Sequence, residues 1–270
     1  MAEAVAGEAA GNPPMTYDIT SPSNDRIKEL VRLRDRKHRD ASGTFLVEGL
    51  REVSRATDAE VEIEEFFLCP DFGAQSMSSD VPVTTVSATA FAKISQRQNP
   101  DGILAVAKQW TTSLDAIVLS ATPLVLVAEA IEKPGNLGAM LRTADAAGID
   151  AVVACDPVVD VFNPNVVRAS QGSLFSVAEG VGSPDEVMAW LKANGMAVVT
   201  TFPDADITYT DVDYTGPTAI VVGAESTGLS EAWREVGAAV ALPMSGGADS
   251  LNTATAAAIV AYEAVRQRSA

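Results

Sequence analysis

At 270 residues, with 47% apolar side chains and a net charge of −17, the chain can fill a sizeable core, but its surface as a whole would repel nucleic acid. It has no run of roughly 18 apolar residues to cross a bilayer, and its two cysteines, Cys69 and Cys155, fit a reducing cytoplasm better than a disulfide framework. Without a CxxC pair and with one histidine, His38, structural zinc and His-dependent acid–base chemistry are not expected, and no metal is assigned.

The opening MAEAVAGEAAGNPP lacks both the cationic start and the apolar stretch of a signal peptide. Residues 1–20 are expected to be a disordered tail, with Met15 a second candidate start. Residues 26–39, RIKELVRLRDRKHR, then concentrate seven Lys/Arg against Glu29 and Asp35, a local net of +5 on an acidic body. Such a segment is either a localised phosphate contact or a solvated amphipathic helix with an apolar stripe at Ile27, Leu30, Val31 and Leu33. A helix over 24–39 is followed by strand 44–49, helix 49–58, strand 63–69, helix 87–95 and strand 102–108. This makes a small α/β domain over 21–108, and 109–123 reads as a linker punctuated by Pro123.

The second half, 124–270, alternates more regularly. Apolar runs at 124–130, 151–155, 196–202, 218–224 and 239–244 are those of strands buried on both faces of a parallel sheet. The helices between them include one from Ser183 to Gly195, with a capping box at Ser183 and Glu186 and a buried stripe at Val187, Trp190 and Leu191. The fold class is therefore α/β with a parallel sheet. Ligands in such sheets bind beyond the carboxyl ends of the strands, where three stretches are unusually rich in Gly and polar residues: 132–148, 223–230 and 245–250. A helix with six alanines over 251–264 follows the last and is expected to pack at short range against a cofactor, a partner subunit or both. None of the three stretches carries GxGxxG, GxxxxGK[ST] or GxSxG, which removes most support for dehydrogenase, NTPase and hydrolase readings.

NLGAMLRTADAAG, VVGAESTGLS and LPMSGGADSLNTATAAA resemble, in order and spacing, the three motifs of the SpoU/TrmH family of RNA ribose 2′-O-methyltransferases. FLVEG (45–49) and QNPDGILAV (98–106) more loosely resemble that family's appended RNA-binding domain. Thr253 departs from the family, which commonly has an apolar residue after SLN. The resemblance implies S-adenosylmethionine as cofactor, a deep trefoil knot, a cytoplasmic homodimer and an RNA substrate. That RNA is most simply 23S rRNA, with tRNA methylation or a catalytically silent RNA-binding role as alternatives.

The resemblance also assigns roles. Arg142 would stand beside the 2′-hydroxyl and a phosphate, stabilising developing charge instead of acting as a base, because a guanidinium is hard to deprotonate. Asn136, Glu225, Ser250 and Asn252 would complete the catalytic set, although Asn136 and Ser250 could be helix N-caps and Glu225 could cap a helix at 229–237. Thr201, Gly223, Glu225, Leu242, Met244, Gly246, Ser250 and Leu251 would bind the cofactor, Gly246 by letting backbone approach it closely. Arg34, Arg36, Lys37 and Arg39, with Arg142, would contact RNA.

Overall fold

The computed structural model describes residues 16–76 and 79–269. Residues 1–15 of the expected tail lie outside the described residues. Residues 17–19, also assigned to the tail, are instead docked: the Asp18 and Ile19 amides both donate to the Thr85 carbonyl, and Ile19 is buried in a bridge to Val86.

The N-terminal domain is a four-stranded mixed sheet in the order β1-β4-β2-β3, from β1 (Thr44–Glu48), β2 (Ile63–Leu68), β3 (Val83–Thr85) and β4 (Ile103–Lys108). Alternating side chains divide its strands between two cores. Leu46, Phe67, Leu104 and Val106 face α1 (Asp25–Arg32) and α4 (Ala88–Ile94). Phe45, Val47, Phe66 and Ala105 face α3 (Leu50–Asp58) and run on into the core of the second domain.

The expected basic helix over 24–39 is two helices, α1 and α2 (Arg36–Ser42). Its continuation would need the Leu33 and Arg34 carbonyls for the amides four residues on. Arg39 takes both instead, its Nη1 donating to them at 2.8 and 2.7 Å, while Nη2 donates to Asp160 of the second domain at 2.5 Å. Arg39 is only 1% exposed, so its assignment as an RNA contact is corrected: it ties the domains together.

The second domain is a seven-stranded, wholly parallel sheet in the order β7-β6-β5-β10-β8-β11-β9. Its strands are β5 (Leu124–Glu129), β6 (Ala151–Cys155), β7 (Ala178–Gly182), β8 (Ala197–Thr201), β9 (Ile207–Thr208), β10 (Thr218–Val222) and β11 (Ala238–Ala241). One face, including Leu126, Val152, Ile220 and Val222, is covered by α5 (Pro134–Ala147), α6 (Pro164–Ser170) and α8 (Thr253–Arg268). The other, including Val125, Val153 and Val221, is covered by α7 (Pro184–Ala193) and by Trp233 in a short 3-10 turn. The alanine-rich helix finds its close partner within the chain: Ala254, Ala257, Ala261 and Ala264 are buried in the same core as Met140, Leu141 and Ala144 of α5.

Residues 109–123 do not act as a free spacer. Trp110 stacks edge-on against Phe45 and Phe162 at 5.7 and 4.8 Å, joining the two domains. Leu114 is buried, and Thr112 accepts a hydrogen bond from the Val181 amide, so the segment straps the edge of β7. Trp110 Nε1 also donates to Glu179 at 3.1 Å. Burial nevertheless pushes that carboxyl up to about 8.

Candidate active site

Strand order brings the site together. β5, β10, β8 and β11 are sheet neighbours and all parallel, so the loops leaving their carboxyl ends crowd one edge although they lie far apart in sequence. A cavity of about 540 Å³ opens there. Thr201 and Phe202 end β8, Val222 and Gly223 end β10, and Leu242 and Met244 follow β11 along its wall. Glu225, Ser250 and Leu251 complete its mouth. Seven of the eight expected cofactor residues thus line one cavity.

The eighth is Gly246, which is not among the lining residues. A Cβ there would meet nothing within 4 Å, and its φ is not left-handed, so no contact within the chain requires glycine at this position. The glycine constraint falls on Gly223. A Cβ on Gly223 would overlap the Gly228–Leu229 peptide, which the loop folds back against the end of β10. That fold is pinned by Glu129, which accepts from both the Ser230 amide and hydroxyl at 2.7 Å, and by Gly228 at φ +69°.

At the cavity mouth three catalytic candidates meet. Asn136 and Asn252 donate to Glu225 Oε1 at 2.7 and 2.5 Å, Asn252 also donates to Asn136 at 3.1 Å, and Lys133 pairs with the second oxygen. The Glu225 side chain is 24% exposed, so these donors replace much of its lost water. The capping alternatives resolve differently for each. α5 is capped at Lys133 and has Pro134 at N1, which leaves the Asn136 side chain free for Glu225. Asn252, not Ser250, caps α8, its Oδ1 accepting from the Ala254 and Thr255 amides. Glu225 caps no helix.

Arg142 stands elsewhere. Six positions along α5 from Asn136, it projects about 120° away around the axis, into a second cavity of about 470 Å³ shared with Arg51 and Arg55 of α3. It is exposed and has no ion-pair partner among the described residues. The basic segment is mostly committed: Arg34 Nη2 donates to the carbonyls of Lys93, Ile94 and Ser95, closing the end of α4, and Arg36 pairs with Asp40. Lys37 remains exposed.

Sequence reasoning missed Phe202 and Arg234 on the cavity wall, where the guanidinium lies 3.9 Å from the Phe202 ring centre and pairs with Asp204. Phe202 could have been found, since it ends an apolar run at the carboxyl edge of the sheet; Arg234 carries no local signal. Glu231, paired with Arg234 at 3.1 Å, and Asp249 also line the cavity. Cys155, at the end of β6, is buried with its thiol pushed up to about 12, so it supplies no thiolate nucleophile. No group of three or more potential metal ligands occurs among the described residues.

Residues 123–262 match the SpoU rRNA Methylase family, and residues 24–105 match an MRM3-like substrate binding domain. The chain is 34% identical to the 23S rRNA (uridine(2479)-2′-O)-methyltransferase of Streptomyces viridochromogenes, over 94% of each chain. It is 32% identical to the 23S rRNA (guanosine(2553)-2′-O)-methyltransferase RlmP of Bacillus subtilis, over 90% of this chain and 97% of that one. Among solved structures, an AdoMet-bound rRNA methyltransferase from Sinorhizobium meliloti superposes with a TM-score of 0.84 at 32% identity, covering 92% of this chain and 97% of the other. The family match takes in all three motif stretches that the sheet order draws to one edge, and on that ground the chain belongs to the SpoU rRNA methylase family.

Proposed function

We propose that this protein transfers a methyl group from S-adenosylmethionine to a ribose 2′-hydroxyl of 23S rRNA. The observation that carries the reading is the junction of Asn136, Glu225 and Asn252 at the mouth of the 540 Å³ cavity. The cavity fits the cofactor: its volume suits a small molecule, apolar Val222, Leu242 and Leu251 offer surfaces for an adenine ring, and Asp249 offers a carboxylate to a cation. When bound, S-adenosylmethionine supplies an electrophilic methyl group on a sulfonium.

The chain's own residues would do the rest. Thr201, whose hydroxyl donates to the Val221 carbonyl at 3.1 Å, and the loop folded over Gly223 fix the cavity wall. Asn136 and Asn252, held by Glu225, orient the ribose. Arg142 addresses the phosphate and the oxygen that gains negative charge as its proton leaves. Since Arg142 lies outside the cofactor cavity of its own chain, we infer a homodimer in which one subunit's Arg142 serves the other's cavity. Met244 and Leu251, 38% and 37% exposed at the cavity mouth, support an apolar contact there. The family match supports the knotted topology, and the buried, unbridged Cys69 and Cys155 support a cytoplasmic setting.

Arg142→Ala tests the reading. Transfer of labelled methyl groups to unmodified 23S rRNA should fall at least a hundredfold, with S-adenosylmethionine affinity by calorimetry within twofold. Equal loss of both would remove Arg142 from the substrate side, and transfer to tRNA in preference to 23S rRNA would redirect the substrate. A fully active monomer by light scattering would overturn the shared site.

A further inference from the structure

Resting on that reading, we propose that the phosphate grip for substrate RNA is the groove between the two domains where Arg51 and Arg55 of α3 join Arg142, and not the basic segment 26–39.

The groove, about 470 Å³, is walled by α3 on one side and by α5 and the turn after α6 on the other. On a chain of net charge −17, ten of the nineteen Lys and Arg side chains pair with a carboxylate among the described residues. Within 26–39 this is the general rule: Arg26 pairs with Glu65 and Glu29, Lys28 with Asp25, Arg36 with Asp40 and Arg39 with Asp160. Arg34 is spent on three carbonyls, which leaves only Arg32 and Lys37. In the groove the balance is reversed. Arg51 and Arg142 have no carboxylate partner among the described residues. Arg55 reaches Asp145 only at 3.4 Å, and that carboxylate is already taken by the Ser173 and Ser176 hydroxyls at 2.8 and 3.1 Å. Three guanidinium groups from two domains thus face one recess, against the single carboxylate of Asp145.

The arrangement is held by backbone in uncommon conformations. Gln171 adopts φ +53°, rare for a residue with a side chain, and its Oε1 accepts from Arg51 at 2.5 Å. Gly172, at φ +90°, lies so close under the Arg55 stem that a Cβ would collide with it. Gln171 is the left-handed cap that ends α6, and the turn it makes sets Gln171 and Gly172 beneath the two arginines. Here it presents two arginines of one domain toward the catalytic arginine of the other.

The chemistry of the occupant follows. Planar guanidinium groups bind phosphodiester oxygens bidentately, and three of them in one recess suit successive phosphates of a single strand. Tyr262, on α8 and 50% exposed, borders the same recess and offers a ring for an unstacked base. The strand would run from α3 past Arg142, so the domain that recognises the RNA delivers it directly to the residue that acts on it.

The test is the salt dependence of binding to an unmethylated 23S rRNA transcript. Two lost contacts should flatten the slope of log affinity against log salt by about 1.4, at roughly 0.7 per contact. That flattening, with at least a tenfold loss of affinity at low salt, is expected of the double variant Arg51→Gln, Arg55→Gln. Arg51→Lys with Arg55→Lys should restore the slope, and Arg32→Gln with Lys37→Gln should leave it unchanged. An unaltered slope in the first variant, or the flattening in the last, overturns the proposal. Photo-crosslinking of a 4-thiouridine transcript to the unsubstituted protein decides it without any variant: crosslinks in α3 and at 171–173 support the groove, and crosslinks confined to 26–39 refute it. Methyl transfer by the unsubstituted protein, measured alongside, separates the two ideas. Transfer with an unaltered slope defeats only the groove, and a flattened slope without transfer defeats only the enzymatic reading.

Discussion

Asn252 couples a helix to a carboxylate: its Oδ1 caps α8 through the Ala254 and Thr255 amides while its Nδ2 donates to Glu225 at 2.5 Å. The two halves of one amide therefore join the framework of the fold to the mouth of the cavity. Asn252→Asp keeps the cap and removes the donor, setting two carboxylates against each other. Methyl transfer should fall at least tenfold with α8 intact by circular dichroism. Asn252→Ala should additionally lose about 1 kcal/mol of stability with the cap. In the double variant Asn252→Asp, Glu225→Gln, the donor and acceptor exchange sides, and activity should recover part of the loss; a purely additive double variant would mean the contact is incidental.

Gly223 and Gly246 should separate cleanly. Gly223→Ala forces the 228–229 peptide off the end of β10, so S-adenosylmethionine affinity should drop tenfold or more by calorimetry. Gly246→Ala, with open space around its Cβ, should stay within twofold. The reverse ranking would move the close backbone approach to the 245–250 loop.

Arg39→Ala should be a folding lesion with little direct effect on RNA contact. It leaves Asp160, whose side chain is 15% exposed, without its cation and frees two carbonyls, a loss of about 3 kcal/mol in denaturant unfolding. The salt slope of RNA binding should not change. A flattened slope with wild-type stability would return Arg39 to the RNA surface.

Glu179 makes stability depend on pH in the opposite sense to a salt-bridged acid. Its pKa rises from 4.5 to about 8 on folding, so between those values the folded chain holds a proton that the unfolded chain releases. Stability therefore falls as pH rises through this window, at up to about 1.4 kcal/mol per unit. Glu179→Gln removes the titration and keeps an acceptor for Trp110. It should unfold at a higher temperature than the wild type at pH 8 and at nearly the same temperature at pH 5. Equal differences at both pH values would show that Glu179 does not titrate there.

The sequence reveals the middle of each sheet better than its margins. Every strand buried on both sides, from 124–129 to 218–222, appears as an apolar run because both faces need one. The elements missed include the edge strands β3, β7 and β9, too short or too mixed to show a period. β7, AEGVG, even carries glycines where Leu114 and Ile117 press on it. The helix break at 33–35 was hidden for another reason. It depends on Arg39 reaching back to carbonyls that local pattern assigns to the helix, and on Asp160 far along the chain. The residues that line the cavity were legible because a motif fixes them in sequence. The separation of Arg142 from Asn136 follows from helical geometry and was equally available. Arg51 and Arg55 were not, since an arginine's lack of a partner becomes visible only when the domains are assembled.

The order β5-β10-β8 also has a consequence for how the chain is made. As the protein leaves the ribosome, β5 and β8 are finished before the strand that belongs between them, and Leu124 must wait for Thr218 to find its register partner. Until then the edges of β5 and β8 display open rows of amides and carbonyls beside strongly apolar faces, the condition under which partly made sheets pair with the wrong neighbour. The four-stranded N-terminal sheet also waits for an inserted strand, since β4 lies between β1 and β2, but all four strands precede residue 109. Synthesis should therefore complete the first sheet early and close the second late and all at once, making the nascent second half the segment most in need of a chaperone.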